Sequence, residues 1–141
     1  GKSTCTDYKR VEFDTLLQES DILSLHCPLS DRTRGLINKD ALSKMKETAI
    51  LVNVARGPVV DTRALCDALV TDRIAGAGLD VLEQEPMAKD NPLAQIKDST
   101  KLIITPHMAW ASLESRTRLV DEVVKNIEAF LAGENRNVVN L

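Results

Sequence analysis

Four short apolar runs recur at nearly even intervals along the chain: Asp21-Ile-Leu-Ser-Leu-His26, Ala49-Ile-Leu-Val-Asn-Val54, Ala75-Gly-Ala-Gly-Leu-Asp-Val81 and Lys101-Leu-Ile-Ile-Thr105. Apolar residues follow one another in them instead of alternating with polar ones, a pattern that predicts strands buried on both faces. The segments between have helical character. Leu16 and Leu17 sit in a short one before the first strand, Asn38 can cap a helix through Met45, and Asp61 can cap another carrying Ala64, Leu65, Ala68 and Leu69 on one face. Helix and strand in alternation predict an α/β fold whose sheet is parallel with right-handed crossovers. Between Val81 and Lys101 the crossover is expected to be irregular, because Pro86 and Pro92 forbid a long helix.

The last element is the clearest helix. From Ser112 as N-cap, Val120, Val123, Val124, Ile127, Phe130 and Leu131 repeat at three- and four-residue spacing, and Gly133 supplies the stop. No strand follows beyond the Val138-Val139 pair, so this helix is expected to leave the sheet or seal its edge.

Composition narrows the classes. The chain has 141 residues, 43% of them hydrophobic and 28% charged, which fits one globular domain with a core large enough to need no staple. The 18 basic and 21 acidic residues are mixed, leaving no basic stripe for nucleic acid or an anionic membrane. No run approaches the roughly 18 apolar residues of a membrane span, and no signal peptide opens the chain, so a cytoplasmic protein is expected. Cys5, Cys27 and Cys66 are odd in number and far apart, with only His26 beside Cys27, a pattern of reduced thiols and no metal site.

The unusual polar residues fall at the ends of the apolar runs, where the loops of an open parallel sheet converge on ligands. The first run ends in His26-Cys27-Pro28-Leu29, the second in Asn53-Val54-Ala55-Arg56-Gly57, the third in Asp80 with Glu83 and Glu85 after it, the fourth in Thr105-Pro106-His107. Arg56 leaves a strand just before a glycine, a setting suited to bidentate binding of a carboxylate. His107 and Glu85 can form an acid/base dyad, since a carboxylate beside an imidazole favours the imidazolium and orients the ring. Gly76 and Gly78 form a Gly-x-Gly inside a strand, read as close packing and not as a phosphate loop.

Three of these segments, Asn53 to Asp61, Gly78 to Pro86 and Ile104 to Ala111, resemble the signature segments of the D-isomer-specific 2-hydroxyacid dehydrogenases. Leu25 to Leu29 with Thr33, Gly35, Leu36 and Ile37 is similar to that family too. The resemblance implies a Rossmann-like parallel sheet forming the second part of an NAD(P)-binding domain over residues 1–110, and a C-terminal helix returning to a substrate domain over 111–141. It implies hydride transfer between NAD(P)H and a small 2-oxo or D-2-hydroxy acid. Arg56 would hold the substrate, His107 would move the proton, and Glu85 would sustain the protonation of His107. Val54, Ala55, Arg56, Asp80, His107 and Ala109 would lie along the cofactor, with Pro28 and Thr33 nearer its adenosine side. Glu85 separates the chain from the related formate dehydrogenases, where Gln replaces the acid, and Trp110 is similar to the glycerate dehydrogenase or hydroxypyruvate reductase branch. A homodimer is the expected assembly.

The family's Gly-x-Gly-x-x-Gly fingerprint is absent from these residues, and so is the acid or base that reads the adenosine ribose. NAD is therefore favoured over NADP only weakly, with Lys2 and Ser3 the candidates for meeting a 2′-phosphate. The chain begins at Gly1, and the expectation is a catalytic half-site with little turnover alone. The competing reading is a catalytically silent, corepressor-like module of the same fold, against which stand intact Arg56, Glu85 and His107.

Overall fold

The computed structural model describes residues 7–139, so Lys2, Ser3 and Cys5 lie outside the described residues. The strands are β1 (Ile22–Leu25), β2 (Ile50–Asn53), β3 (Gly76–Leu79) and β4 (Leu102–Ile104). The helices are α1 (Phe13–Glu19), α2 (Lys39–Lys44), α3 (Thr62–Val70) and α4 (Leu113–Leu131). All four strands pair parallel in the order β1-β2-β3-β4. The capping residues do what their chemistry predicts. Asn38 accepts from the Ala41 N–H at 3.0 Å to open α2, and Asp61 accepts from the Ala64 N–H at 2.9 Å to open α3. After β3 the chain forms only a short 3-10 turn at Pro92–Gln95 before β4, as the prolines dictate.

Burial corrects one expectation. Leu23 and Leu25, Leu51, and Ala77 and Leu79 face a single core with Leu17 of α1, Leu42 of α2 and Leu65 and Leu69 of α3. On the opposite face Ile22 (65% exposed), Ile50 (41%) and Ile103 (60%) are open. The strands are thus buried on one face among the described residues. A run of apolar residues reads the same whether one or both faces are covered, so its pattern cannot tell the two apart. The glycines of β3 split likewise. A side chain on Gly76 would meet the Lys101 carbonyl oxygen at 3.2 Å, the expected close packing, whereas one on Gly78 would meet open space.

The chain divides after His107 into two compact units. In the second, the Ser112 hydroxyl accepts from the Ser115 N–H at 3.2 Å to open α4, and Gly133, at φ 73°, closes it with its N–H on the Phe130 carbonyl. Arg136 folds the following segment back onto the helix, donating to Asn126 at 2.8 Å and to Glu122 at 2.7 Å.

Leu65 is fully enclosed while Val70, on the same helix, is 56% exposed. Leu65→Ala is expected to destabilise the chain by about 2–5 kcal/mol and Val70→Ala by no more than about 0.5 kcal/mol. Denaturant titration of the two variants measures the difference, and equal effects would place the core elsewhere.

Candidate active site at the carboxyl edge of the sheet

The pairing register sets Leu25 beside Asn53, Asn53 beside Leu79, and Leu79 beside Ile104. The four strands therefore end in one row, and the residues that follow leave the sheet along one edge. Hydrogen bonds carry the ladder one step further, from the Asp80 N–H to the Asn53 carbonyl and from the Thr105 N–H to the Leu79 carbonyl, both at 2.9 Å.

At the end of β2, Asn53 is buried, and its side chain is spent on its own loop. Its Oδ1 accepts from the Ala55 N–H and its Nδ2 donates to the Arg56 carbonyl, each at 3.0 Å. These bonds shape the turn that carries the exposed Arg56 outward. Arg56 rests with Nη1 on the Ala55 carbonyl at 2.7 Å. Asn53 belongs to the Asn53 to Asp61 segment, whose chemistry in the sequence rests on Arg56 and not on the amide. The signal was available: an amide ending an otherwise apolar strand needs partners when buried.

At the end of β4, His107 takes a left-handed backbone, φ 53°, unusual for a residue with a Cβ. Its N–H reaches back to the Thr105 carbonyl at 3.0 Å, and its Nδ1 lies 2.8 Å from Glu85 Oε2. The other carboxylate oxygen, Oε1, accepts from the Leu82 N–H at 2.9 Å. That main-chain bond, and then the one to His107, hold the Glu85 carboxyl below the usual glutamate range. Asp80 is buried beside them and accepts from the Thr105 hydroxyl.

Two clefts open on this edge. One, of about 540 Å³, is lined by Asp80, Leu82, Glu85, Thr105 and His107 among others. The second, of about 500 Å³, is lined by His26, Cys27, Pro28, Leu29, Val54, Ala55 and Arg56. The structure thus brings Glu85, His107 and Asp80 together, and Arg56 together with Pro28, Val54 and Ala55, while Arg56 and His107 line different clefts. Thr33 lines neither. Its hydroxyl donates to the Pro28 carbonyl at 2.7 Å and so fixes the loop from beneath. Ala109 belongs to the second unit.

The second cleft lies at the carboxyl ends of β1 and β2, where open α/β sheets take their ligands, and the exposed Arg56 is among its lining residues. Pro28, Val54, Ala55 and Arg56 are the residues that would face a dinucleotide bound there. No glycine-rich phosphate loop accompanies them within the 141 residues.

Comparison with known proteins agrees with this fold. Residues 2–109 match the family described as D-isomer specific 2-hydroxyacid dehydrogenase, NAD binding domain. The chain belongs to that family. It is 49% identical over 130 residues to a hydroxypyruvate reductase of Blautia hydrogenotrophica, covering 92% of this chain and 39% of the relative. It is 48% identical over 129 residues to a glycerate dehydrogenase of Methylorubrum extorquens, covering 92% of this chain and 41% of the relative. Among solved structures, the D-isomer specific 2-hydroxyacid dehydrogenase of Lactobacillus delbrueckii ssp. bulgaricus in its NAD-complexed form superposes with a TM-score of 0.79 at 35% identity, covering 92% of this chain and 43% of that one. An acyclic imino acid reductase in complex with NADPH and D-Arg gives a TM-score of 0.87 at 37% identity, covering 99% and 43%. The chain spans about two-fifths of the length of these curated relatives. No described helix is long and apolar enough to cross a membrane.

Asn53→Ala would strand the Ala55 N–H and the Arg56 carbonyl. A loss of about 1–3 kcal/mol in denaturant titration is expected, and a neutral result would mean that the turn holds itself.

Proposed function

We propose that this chain supplies the carboxylate-binding and proton-transferring residues of an oxidoreductase that interconverts small 2-oxo acids and D-2-hydroxy acids of the hydroxypyruvate and D-glycerate kind. The observation that carries this reading is the 2.8 Å contact between His107 Nδ1 and Glu85 Oε2 in a cleft at the sheet edge. The names of the relatives, hydroxypyruvate reductase and glycerate dehydrogenase, support the substrate class.

A bound nicotinamide cofactor supplies the hydride. The remaining work falls to the side chains. Arg56 offers a planar pair of N–H donors to the substrate carboxylate. With Glu85 ionised, the His107 Nδ1–H is donated to Oε2, which orients the ring. Its second nitrogen, Nε2, then carries the proton given to the substrate oxygen as the carbonyl is reduced. After that transfer Nδ1 keeps its hydrogen on Glu85, so Nε2 is the deprotonated nitrogen that accepts a proton in the oxidative direction. One carboxylate thus fixes both the tautomer and the orientation of the ring. A silent binding module has no use for such an arrangement.

Because Glu85 stays ionised to below the usual glutamate range, the dyad keeps its charge as pH falls, until the pH drops through that lowered value. Glu85→Gln removes the charge at every pH. In the full-length enzyme, this variant is expected to lower kcat/KM for reduction and to lose the acid-side fall that protonation of Glu85 produces in the unsubstituted protein. His107→Ala is expected to lower kcat/KM by about 10² to 10⁴. A loss under about tenfold would remove His107 from the proton path, and an unmoved profile in Glu85→Gln would remove Glu85.

Without a glycine-rich loop for the cofactor phosphates, these 141 residues assayed alone with NADH or NADPH and hydroxypyruvate are expected to give no turnover. Robust activity would overturn that expectation.

A further inference from the structure

We infer that Gly57 is a positioning residue for the Glu85–His107 pair, its missing side chain being the space into which the Leu82 peptide fits. The inference rests on the roles proposed for Glu85 and His107 and adds the element that sets their geometry.

Gly57 is buried at the start of a 3-10 turn, Gly57–Val59, directly after Arg56. Its backbone does not require glycine: among the described glycines the left-handed conformation belongs to Gly35 and Gly133. Space requires it. A Cβ built on Gly57 falls well inside contact distance of Leu82 C, Leu82 O and Glu83 N. All three are main-chain atoms, so no change of rotamer relieves the collision, and any side chain at position 57 must push the Leu82–Glu83 peptide away.

Leu82 is the residue whose N–H holds Glu85 Oε1 at 2.9 Å, while Oε2 faces His107 Nδ1 at 2.8 Å. The path from the β2 loop to the imidazole therefore has three contacts: Gly57 against the Leu82 carbonyl side, the Leu82 N–H on Glu85, and Glu85 on His107. Its first residue is bonded in sequence to Arg56. One close approach of two backbones thus fixes the carboxylate-binding loop and the proton-transferring pair relative to each other.

The test is a pH titration of the isotopically labelled chain, following the Glu85 side-chain carboxyl carbon and the Leu82 amide proton by NMR. In the unsubstituted chain the Leu82 amide is expected to shift with the ionisation of Glu85. In Gly57→Ala that response should vanish and the Glu85 midpoint should rise toward that of an ordinary glutamate. Glu122, held by Arg136 and Lys125 in the second unit, should keep its lowered midpoint and serve as the internal reference. Leu82→Pro, which deletes the N–H but leaves the approach to Gly57, should raise the Glu85 midpoint in the same way. A folded Gly57→Ala chain with an unchanged Glu85 midpoint would overturn the proposal. So would a Leu82 amide that ignores Glu85 in the unsubstituted chain, a measurement that needs no variant to fold. Neither readout involves substrate, so a failure here is distinct from the kinetic failure that would remove His107 or Glu85 from the reaction.

Discussion

Four parallel strands in unbroken register end in a single row across the sheet, Leu25, Asn53, Leu79 and Ile104, and every feature of the site depends on that row. Side chains alternate between the faces of a strand, so a slip of one residue in any pair would turn the core side of that strand outward. Leu23 and Leu25, Leu51, and Ala77 and Leu79 all lie on the covered face, which makes such a slip costly in buried apolar area. The burial of small aliphatic side chains thus fixes, to within a residue, where Val54, Asp80 and Thr105 leave the sheet.

On that edge the chain tolerates a conformation it would otherwise avoid. A left-handed backbone at a residue such as His107 costs on the order of 1–3 kcal/mol and persists only where the surroundings over-determine it. Here the Thr105 carbonyl holds the His107 N–H and the Glu85 carboxylate holds its ring. Glu85 is itself anchored at its other oxygen by main chain, so the Leu82 backbone reaches the ring through Glu85.

Much of this could be read from residue order. Asn38, Asp61 and Ser112 announce their helices because a short polar side chain before an apolar period satisfies N–H groups that helix geometry leaves unpaired. The edge was legible as well, since polar residues follow each apolar run. The meeting of Glu85 with His107 was expected from the resemblance and from charge, but 22 positions of separation carry no distance. Two features had no legible trace: the open second face of the sheet, because apolar runs do not count the layers that cover them, and the close approach at Gly57. A glycine after an arginine that follows a strand is ordinarily a place for the backbone to turn, whereas the conformation of Gly57 is ordinary and the neighbouring peptide is the reason for the glycine.

Arg56 and His107 line separate clefts, and in the proposed reaction they must act on one small acid. Arg56 follows β2 and His107 follows β4, strands that stand two spacings, or roughly 10 Å, apart in the sheet. His107 cannot close that gap without giving up Glu85. Arg56 is the residue that can travel, because it is exposed, has a long side chain, and rests by Nη1 on a neutral carbonyl. That bond joins a charged donor to a neutral acceptor, whereas a pair with a carboxylate is charged on both sides and can be bidentate, which makes it the stronger of the two. A substrate carboxylate would therefore draw the guanidinium off Ala55. A lysine could make the journey but not the planar two-point grip, so it would leave the acid free to turn about its own axis. The chemistry at this edge asks for one fixed partner and one mobile one, and the short histidine and long arginine divide those tasks.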